Sequence, residues 1–233
     1  MINQFTTYVT TAANWHGDRG ILHRTVEHLR LSGAAVVIAA LIALPIAVWL
    51  GHTRRGGLVV QSVVNIGRAV PSLAILALLF PLSLRYGFGL GFWPTLGALV
   101  ILAVPPMFTN AYTAIRSVDP SIVESSLGMG MRGFEVVTRV EVPSGMTLIL
   151  TGVRIATLQV IATATLGAYV GFNGLGSFIN EGFRQQDNGK LLTGAVAVAL
   201  TALLVDVVFG VVVRRATPWR APDLQVSTKG LQP

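Results

Sequence analysis

The sequence predicts an all-α polytopic membrane protein with about five transmembrane helices. Three observations lead there. Of 233 residues, 52% are hydrophobic and 12% are charged, against roughly 25% charged in an ordinary soluble domain, and the mean hydropathy is +0.66. Several runs dominated by Ala, Leu, Val and Ile reach about twenty residues or more, enough to cross a hydrocarbon core of roughly 30 Å at about 1.5 Å per helical residue. Finally, there is no cysteine, and all four histidines (His16, His23, His28, His52) fall in the first quarter of the chain. That excludes disulfides, thiolate metal sites, iron–sulfur clusters and cysteine nucleophiles, and leaves little chemistry for a catalytic centre. The net charge of +7 is spread over short loops between apolar runs. Positive-inside topology accounts for it better than nucleic acid, which would need a basic patch with interleaved aromatics.

In chain order, residues 1–30 read as an extracytoplasmic N-terminal segment. The stretch 1–14 lacks the basic start and apolar centre of a signal peptide, so no cleavage is expected there. Residues 16–30 carry Ile21, Leu22, Val26 and Leu29 at helical spacing with Arg19, Arg24, Glu27 and Arg30 between them, which predicts an amphipathic helix on the membrane surface. The transmembrane domain is then 31–215. Its first span, 31–50, ends at a tight turn whose glycines stop the helix and whose Arg54 and Arg55 anchor one face. The second, 58–84, is interrupted by Arg68 and by Pro71, where a kink is expected. The third, 94–112, is entered through a glycine and aromatic turn at 87–93 and contains a break at Pro105-Pro106. A long polar segment, 113–144, follows, in which Asp119 and Pro120 are placed as N-cap and first residue of a short helix. The fourth span, 146–170, holds Arg154, Thr157, Gln159, Thr163 and Thr165, and polar residues within a span face protein or a water-filled cavity. The last, 191–213, contains Asp206 and stops at Arg214-Arg215, leaving 216–233 as a cytoplasmic tail.

An odd number of spans puts the termini on opposite sides. With 51–57, 113–145 and the tail in the cytoplasm, nine Lys or Arg lie inside and six outside, while Arg68 and Arg154 fall within spans. The bias places the N-terminus outside and the C-terminus in the cytoplasm. No internal repeat or composition break supports a second domain.

Nucleotide motifs fail on context. Gly128-Met129-Gly130-Met131-Arg132-Gly133 satisfies a three-glycine dinucleotide pattern, but it follows a helical stretch and not a strand; Gly189-Lys190 lacks the upstream glycine of a P-loop. ATP-dependent work therefore falls to a partner. The informative spacing is Glu124-Ser125-Ser126, three residues, Gly130, nine residues, then Val140-Glu141-Val142-Pro143. A short helix capped by Asp119 presents Ile122, Val123 and Leu127 as an apolar knob, Glu124 offers a charge, and Gly130 permits a sharp reversal. The bland alternative is an amphipathic loop helix lying on the membrane.

This spacing resembles the cytoplasmic loop of permease subunits of binding-protein-dependent ABC importers of the MetI-like transmembrane fold, with Ser125-Ser126 standing where two alanines are usual. Further segments are similar to the osmoprotectant branch of that family: 68–74, 109–113, 118–120, 128–131, and 162–167 through 174–176. The resemblance implies that Asp119, Ile122, Val123, Glu124, Ser125, Ser126, Leu127, Gly128, Gly130 and Pro143 form an ATPase-coupling loop and that alternating access carries a quaternary amine such as glycine betaine, choline or carnitine. It implies a bacterial plasma-membrane location and three kinds of partner: a second permease subunit, the same or a similar chain, two cytoplasmic ATPase subunits that bind ATP and magnesium, and an extracytoplasmic substrate-binding protein. The chain itself is expected to hold no cofactor or metal and not to be an enzyme. An amino acid or other small polar solute is the alternative cargo. A secondary transporter is a poorer fit, because inverted repeats and mid-membrane ionisable residues would be expected and the chain shows only Asp206, off-centre.

Other polar positions keep two readings each. Ser72, Asn110, Thr157, Thr163 and Thr165 are candidates for the translocation path, while hydroxyls within a helix also bond their own backbone. Asp206 is expected to pair with Arg68 or Arg154. Gly167 and Gly171 favour close helix packing inside the chain. Tyr86, Trp93 and Tyr169 read as interfacial belt residues before ammonium ligands.

Overall fold

The computed structural model describes residues 2–57, 60, 62 and 70–216. Its helices are α1 (Ile2–Thr10), α2 (Ile21–His52), α3 (Ser72–Arg85), α4 (Phe92–Arg116), α5 (Pro120–Gly128), α6 (Gly133–Val136), α7 (Val142–Thr163), α8 (Gly176–Gln185) and α9 (Asn188–Ala216). A wide turn, Val137–Glu141, joins α6 to α7, and a tight one, Ala164–Val170, prolongs α7. Among the described residues four continuous helices are long and apolar enough to cross a bilayer: Ile21–His52, Phe92–Arg116, Gly133–Val170 and Asn188–Ala216. At 14 residues, α3 covers about 21 Å, less than the hydrocarbon thickness.

The core forms where α4 lies between α2 and α7. On α2 the buried positions Leu31, Ala35, Ala39, Ala43, Ala47 and Gly51 recur every four residues, a ridge of small side chains that lets another backbone approach closely where lipid supplies no hydrophobic drive for association. The approach reaches its limit at Gly51, where a Cβ would lie 2.8 Å from Cβ of Ile115. Facing it, α4 buries Leu99, Ala103, Met107, Ala111, Ala114 and Ile115. On the far side Gly152 of α7 leaves room for Asn110, whose Cβ a side chain there would meet at 2.6 Å. At one end of the bundle Gly91 (φ +75) donates its N–H to the carbonyl of Val170 at 2.9 Å. This left-handed backbone, open to glycine, joins the turn before α4 to the turn after α7.

Several sequence expectations are corrected. Residues 16–30 do not form a separate surface helix. From Ile21 they are the first turns of α2, and burial does not follow the expected faces: Leu22, Val26 and Leu29 are exposed while Arg24 and His28 are buried, although Ile21 is buried and Arg30 exposed. Protein, and not water, covers Arg24 and His28. Pro71 does not kink a helix. It takes an extended conformation (φ −63, ψ 132) and caps α3, as its missing N–H and its restriction on the preceding residue require. Residues 58, 59, 61 and 63–69, including Arg68, lie outside the described residues, as does the tail beyond 216. Pro105-Pro106 does not break α4, which continues to Arg116. The fourth span begins earlier than expected, because helix runs without interruption from Gly133.

Candidate functional site

The segment 119–143 is built by local rules. Asp119 (φ −57, ψ 125) accepts a hydrogen bond from the Ser121 N–H at 2.9 Å, and Pro120 follows it with the φ that a first helical turn needs. That backbone bond, with a second from the Ser121 side chain, holds the Asp119 carboxyl below the usual carboxylate range. Inside α5 the Ser126 hydroxyl donates to the Ile122 carbonyl at 2.7 Å and is buried. The serine in place of an alanine therefore presents no unmet donor. At Gly130 the backbone reverses with φ +90, and its N–H reaches the Leu127 carbonyl at 2.9 Å.

Exposure defines what this segment offers. Ile122, Glu124, Ser125, Leu127 and Gly128 are exposed and Val123 is half-buried. Two further residues stand out more, Met129 at 77% and Phe134 at 78%. Neither follows from the spacing of Glu124, Gly130 and Pro143; the available signal is a large apolar side chain at 129 and another at 134 within a polar segment. Four apolar side chains around one reversal, with Glu124 beside them, make a convex tip of the kind that enters a partner's groove.

Behind the tip the segment is fastened to the bundle. Glu141, 3% exposed, lies with Oε2 2.7 Å from Nδ1 of His52 at the end of α2. Arg54 donates to the Val118 carbonyl at 3.4 Å, and Arg116 donates to the Arg54 carbonyl at 3.0 Å. Pro143 cannot return an N–H to Arg139, and the ladder widens: Val142 N–H reaches Val137 five residues back. Wide turns of this kind inside helices often mark functional sites. The segment is thus tied to α2 through His52 and Arg54 and is continuous with α7. We expect His52→Ala, which strands a nearly buried carboxylate, to destabilise the detergent-solubilised protein by about 1–3 kcal/mol, with His52→Gln recovering part of that. Thermal unfolding of the two variants beside the wild type reads this out, and equal midpoints would refute it.

The candidate path residues separate. Thr157 donates to the Val153 carbonyl at 2.8 Å, Thr165 to Ala162 at 2.7 Å, and Asn110 to Pro106 at 2.8 Å. These three bond their own helices. Ser72 and Thr163 come together instead, lining a narrow crevice with Thr95 and Gly167 between α3, α4 and the end of α7. Gly167 approaches Thr95 so closely that a Cβ would stand 2.7 Å from its Cγ2, an internal contact. Within the spans Arg154 binds Asp206 through two parallel bonds, Nε to Oδ1 and Nη2 to Oδ2, each 2.6 Å. Tyr86, Trp93 and Tyr169 are exposed.

With this geometry in hand, comparison with known proteins decides the family. The family described as binding-protein-dependent transport system inner membrane component matches residues 35–218. The chain belongs to this family. As a member, it is a multi-pass membrane permease and a transport subunit, and its relatives work beside ATPase and substrate-binding proteins. It is 36% identical to the glycine betaine/carnitine/choline transport system permease protein OpuCB of Bacillus subtilis over 93% of this chain and 95% of that protein. It is 37% identical to the choline transport system permease protein OpuBB of the same organism, over 85% of this chain and 89% of that one. Among solved structures, the inward-facing MetNI methionine ABC transporter superposes with a TM-score of 0.75 at 23% identity, covering 84% of this permease and 96% of that chain. That likeness shows the fold.

Proposed function

We propose that this permease is the membrane subunit of an ATP-driven importer for osmoprotectants of the quaternary-amine class, glycine betaine, choline or carnitine. The observation that carries the cargo is the identity of 36% over nearly the whole chain to a permease named for those three solutes. Two permease subunits, identical or similar, would stand side by side; two ATPases would bind ATP and magnesium on the cytoplasmic side; an external binding protein would deliver the solute. Closure of the ATPases on ATP pulls on the tip at 122–134. The Glu141–His52 contact and the continuous helix from Gly133 pass that pull to α2 and α7, and the path opens in alternation to either side. Asp119, Glu124 and Gly130 are the residues we assign to coupling. Ser72 and Thr163 are the ones we keep for the path.

Reconstitution with the ATPase and binding protein, followed by uptake of labelled betaine, choline, carnitine and methionine, tests the cargo; uptake of methionine alone would overturn it. Orientation follows from the same reading. Single cysteines at Gln186→Cys and Gly133→Cys, in a chain with none of its own, are expected to react with an impermeant maleimide from outside and only from inside, respectively. The reverse pattern would invert the topology.

A further inference from the structure

His52, beside the coupling segment, and Arg24 sit 28 positions apart on α2, about 42 Å along the axis. At the Arg24 end, α1, the first turn of α2, α8 and the start of α9 enclose a concavity of about 690 Å³, a size that holds small solutes. Four basic side chains line it, Arg19, Arg24, Arg184 and Lys190, against one carboxylate, Glu181.

The deepest of these cations is incompletely served. Arg24 is 1% exposed, lies 4.4 Å over the ring of Phe178, and donates through Nη2 to Glu181 Oε1 at 2.7 Å, while its Nε and Nη1 have no acceptor. Glu181 is shared, since its Oε2 also lies 2.5 Å from Nζ of Lys190. Two cations therefore draw on one carboxylate, at a depth where an unmet donor is unfavourable. Those two hydrogen bonds outweigh the burial that opposes its charge and hold the Glu181 carboxyl below its usual range. Nearby Asp187 is engaged in receiving the Lys190 N–H at the start of α9. On the rim, Arg19 and Arg184 are exposed and without an ion pair among the described residues.

The walls are fixed. Tyr8 packs edge-on against Phe178 at 6.3 Å, and Asn173 ties the far side to the Asp18 carbonyl at 3.0 Å. Gly189 brings α9 so near α1 that a Cβ would fall 2.6 Å from the Gln4 carbonyl oxygen. The concavity is thus a built pocket with a surplus of positive charge, lined by an Arg24 side chain that carries two buried donors without a partner.

We propose that this pocket is a carboxylate-binding subsite of the permease, placed at its outer mouth, which accepts solutes bearing a carboxylate and disfavours those without one. Resting on the quaternary-amine reading, the inference sorts that class: betaine and carnitine carry the group, and choline does not. A solute carboxylate fits better than an acidic side chain of a docked protein, because Arg24, the lining cation with unmet donors, is buried while Arg19 and Arg184 are exposed.

The test uses the full permease–ATPase complex in nanodiscs without binding protein. Labelled glycine betaine should bind saturably, choline about tenfold more weakly or worse, and unlabelled acetate should compete. Arg19→Gln with Arg184→Gln, both at exposed positions, should weaken betaine binding about tenfold in an intact complex, and Arg24→Lys should weaken it further. Equal binding of betaine and choline, or unchanged betaine binding in the rim variant, would overturn the proposal. So would absent solute binding in these nanodiscs, and poorer retention of the binding protein by the rim variant in a second assay with that protein added would then assign the pocket to a protein carboxylate. Betaine binding here with no ATP-driven uptake of any quaternary amine would sink the cargo reading and leave the subsite standing; uptake without binding at this pocket would do the opposite.

Discussion

Gly130→Val is expected to abolish ATP-driven uptake while the chain still inserts in the membrane. The glycine holds φ +90, a conformation that costs a β-branched residue on the order of 1–3 kcal/mol. Nothing lies within 4 Å of where its Cβ would be, so the penalty is backbone strain and not collision. The cheapest relief is to rebuild the reversal, which moves Met129 and Phe134 off the tip. Gly130→Ala, strained but not branched, should lose less. Glu124→Ala removes an exposed charge without disturbing the helix and should act by the other route, weaker attachment of the ATPase, with a loss of about tenfold or more in uptake. Three measurements separate these outcomes: the amount of permease in the membrane, the ATPase retained on purification, and hydrolysis stimulated by loaded binding protein. Normal coupling in both Gly130→Val and Glu124→Ala would reduce the segment to a surface loop and remove the mechanical basis of the proposed function.

How much of this was legible beforehand follows from the range of the interactions. Local rules were readable: Asp119 caps α5 because the cap bond spans two residues, and the spans announce themselves by length and apolarity. Gly130 could be assigned a reversal from spacing alone. What escaped depends on partners far along the chain. Arg24 looks like the solvent face of a surface helix until Glu181, 157 residues later, supplies its counter-charge. Glu141 looks like one more loop carboxylate until His52 meets it across 89 residues. Hydropathy drew the fourth span from 146 because 133–144 is polar, yet helix continues there, since Val142 finds an acceptor five residues back once Pro143 has withdrawn its donor. The threonines were undecidable for a different reason. A hydroxyl in a helix has its own backbone within reach whatever faces it, and sequence cannot tell which bond is made.

Arg154 and Asp206 should give the largest effect on assembly. The buried residues of α9, Gly189, Thr193, Gly194 and Thr201, all lie in its first half, and beyond them Leu203, Leu204, Val207, Val208, Val211 and Val212 are exposed in the isolated chain. The bidentate pair is one contact that joins that second half to α7. Two parallel charge-assisted bonds at 2.6 Å are directional as well as strong, so they set the rotation of α9 as well as its proximity. Removing one partner leaves the other without its counter-charge within a span, where conformations that export it are preferred. Arg154→Leu and Asp206→Leu are each expected to reduce assembled complex about tenfold. The double variant Arg154→Leu with Asp206→Leu removes both charges together and should restore assembly close to wild type, because the apolar replacements carry no ion to desolvate. Quantifying the complex after affinity purification, single variants against double, reads the coupling between the two sites. Wild-type levels in both single variants would show that α9 is held by something other than this pair.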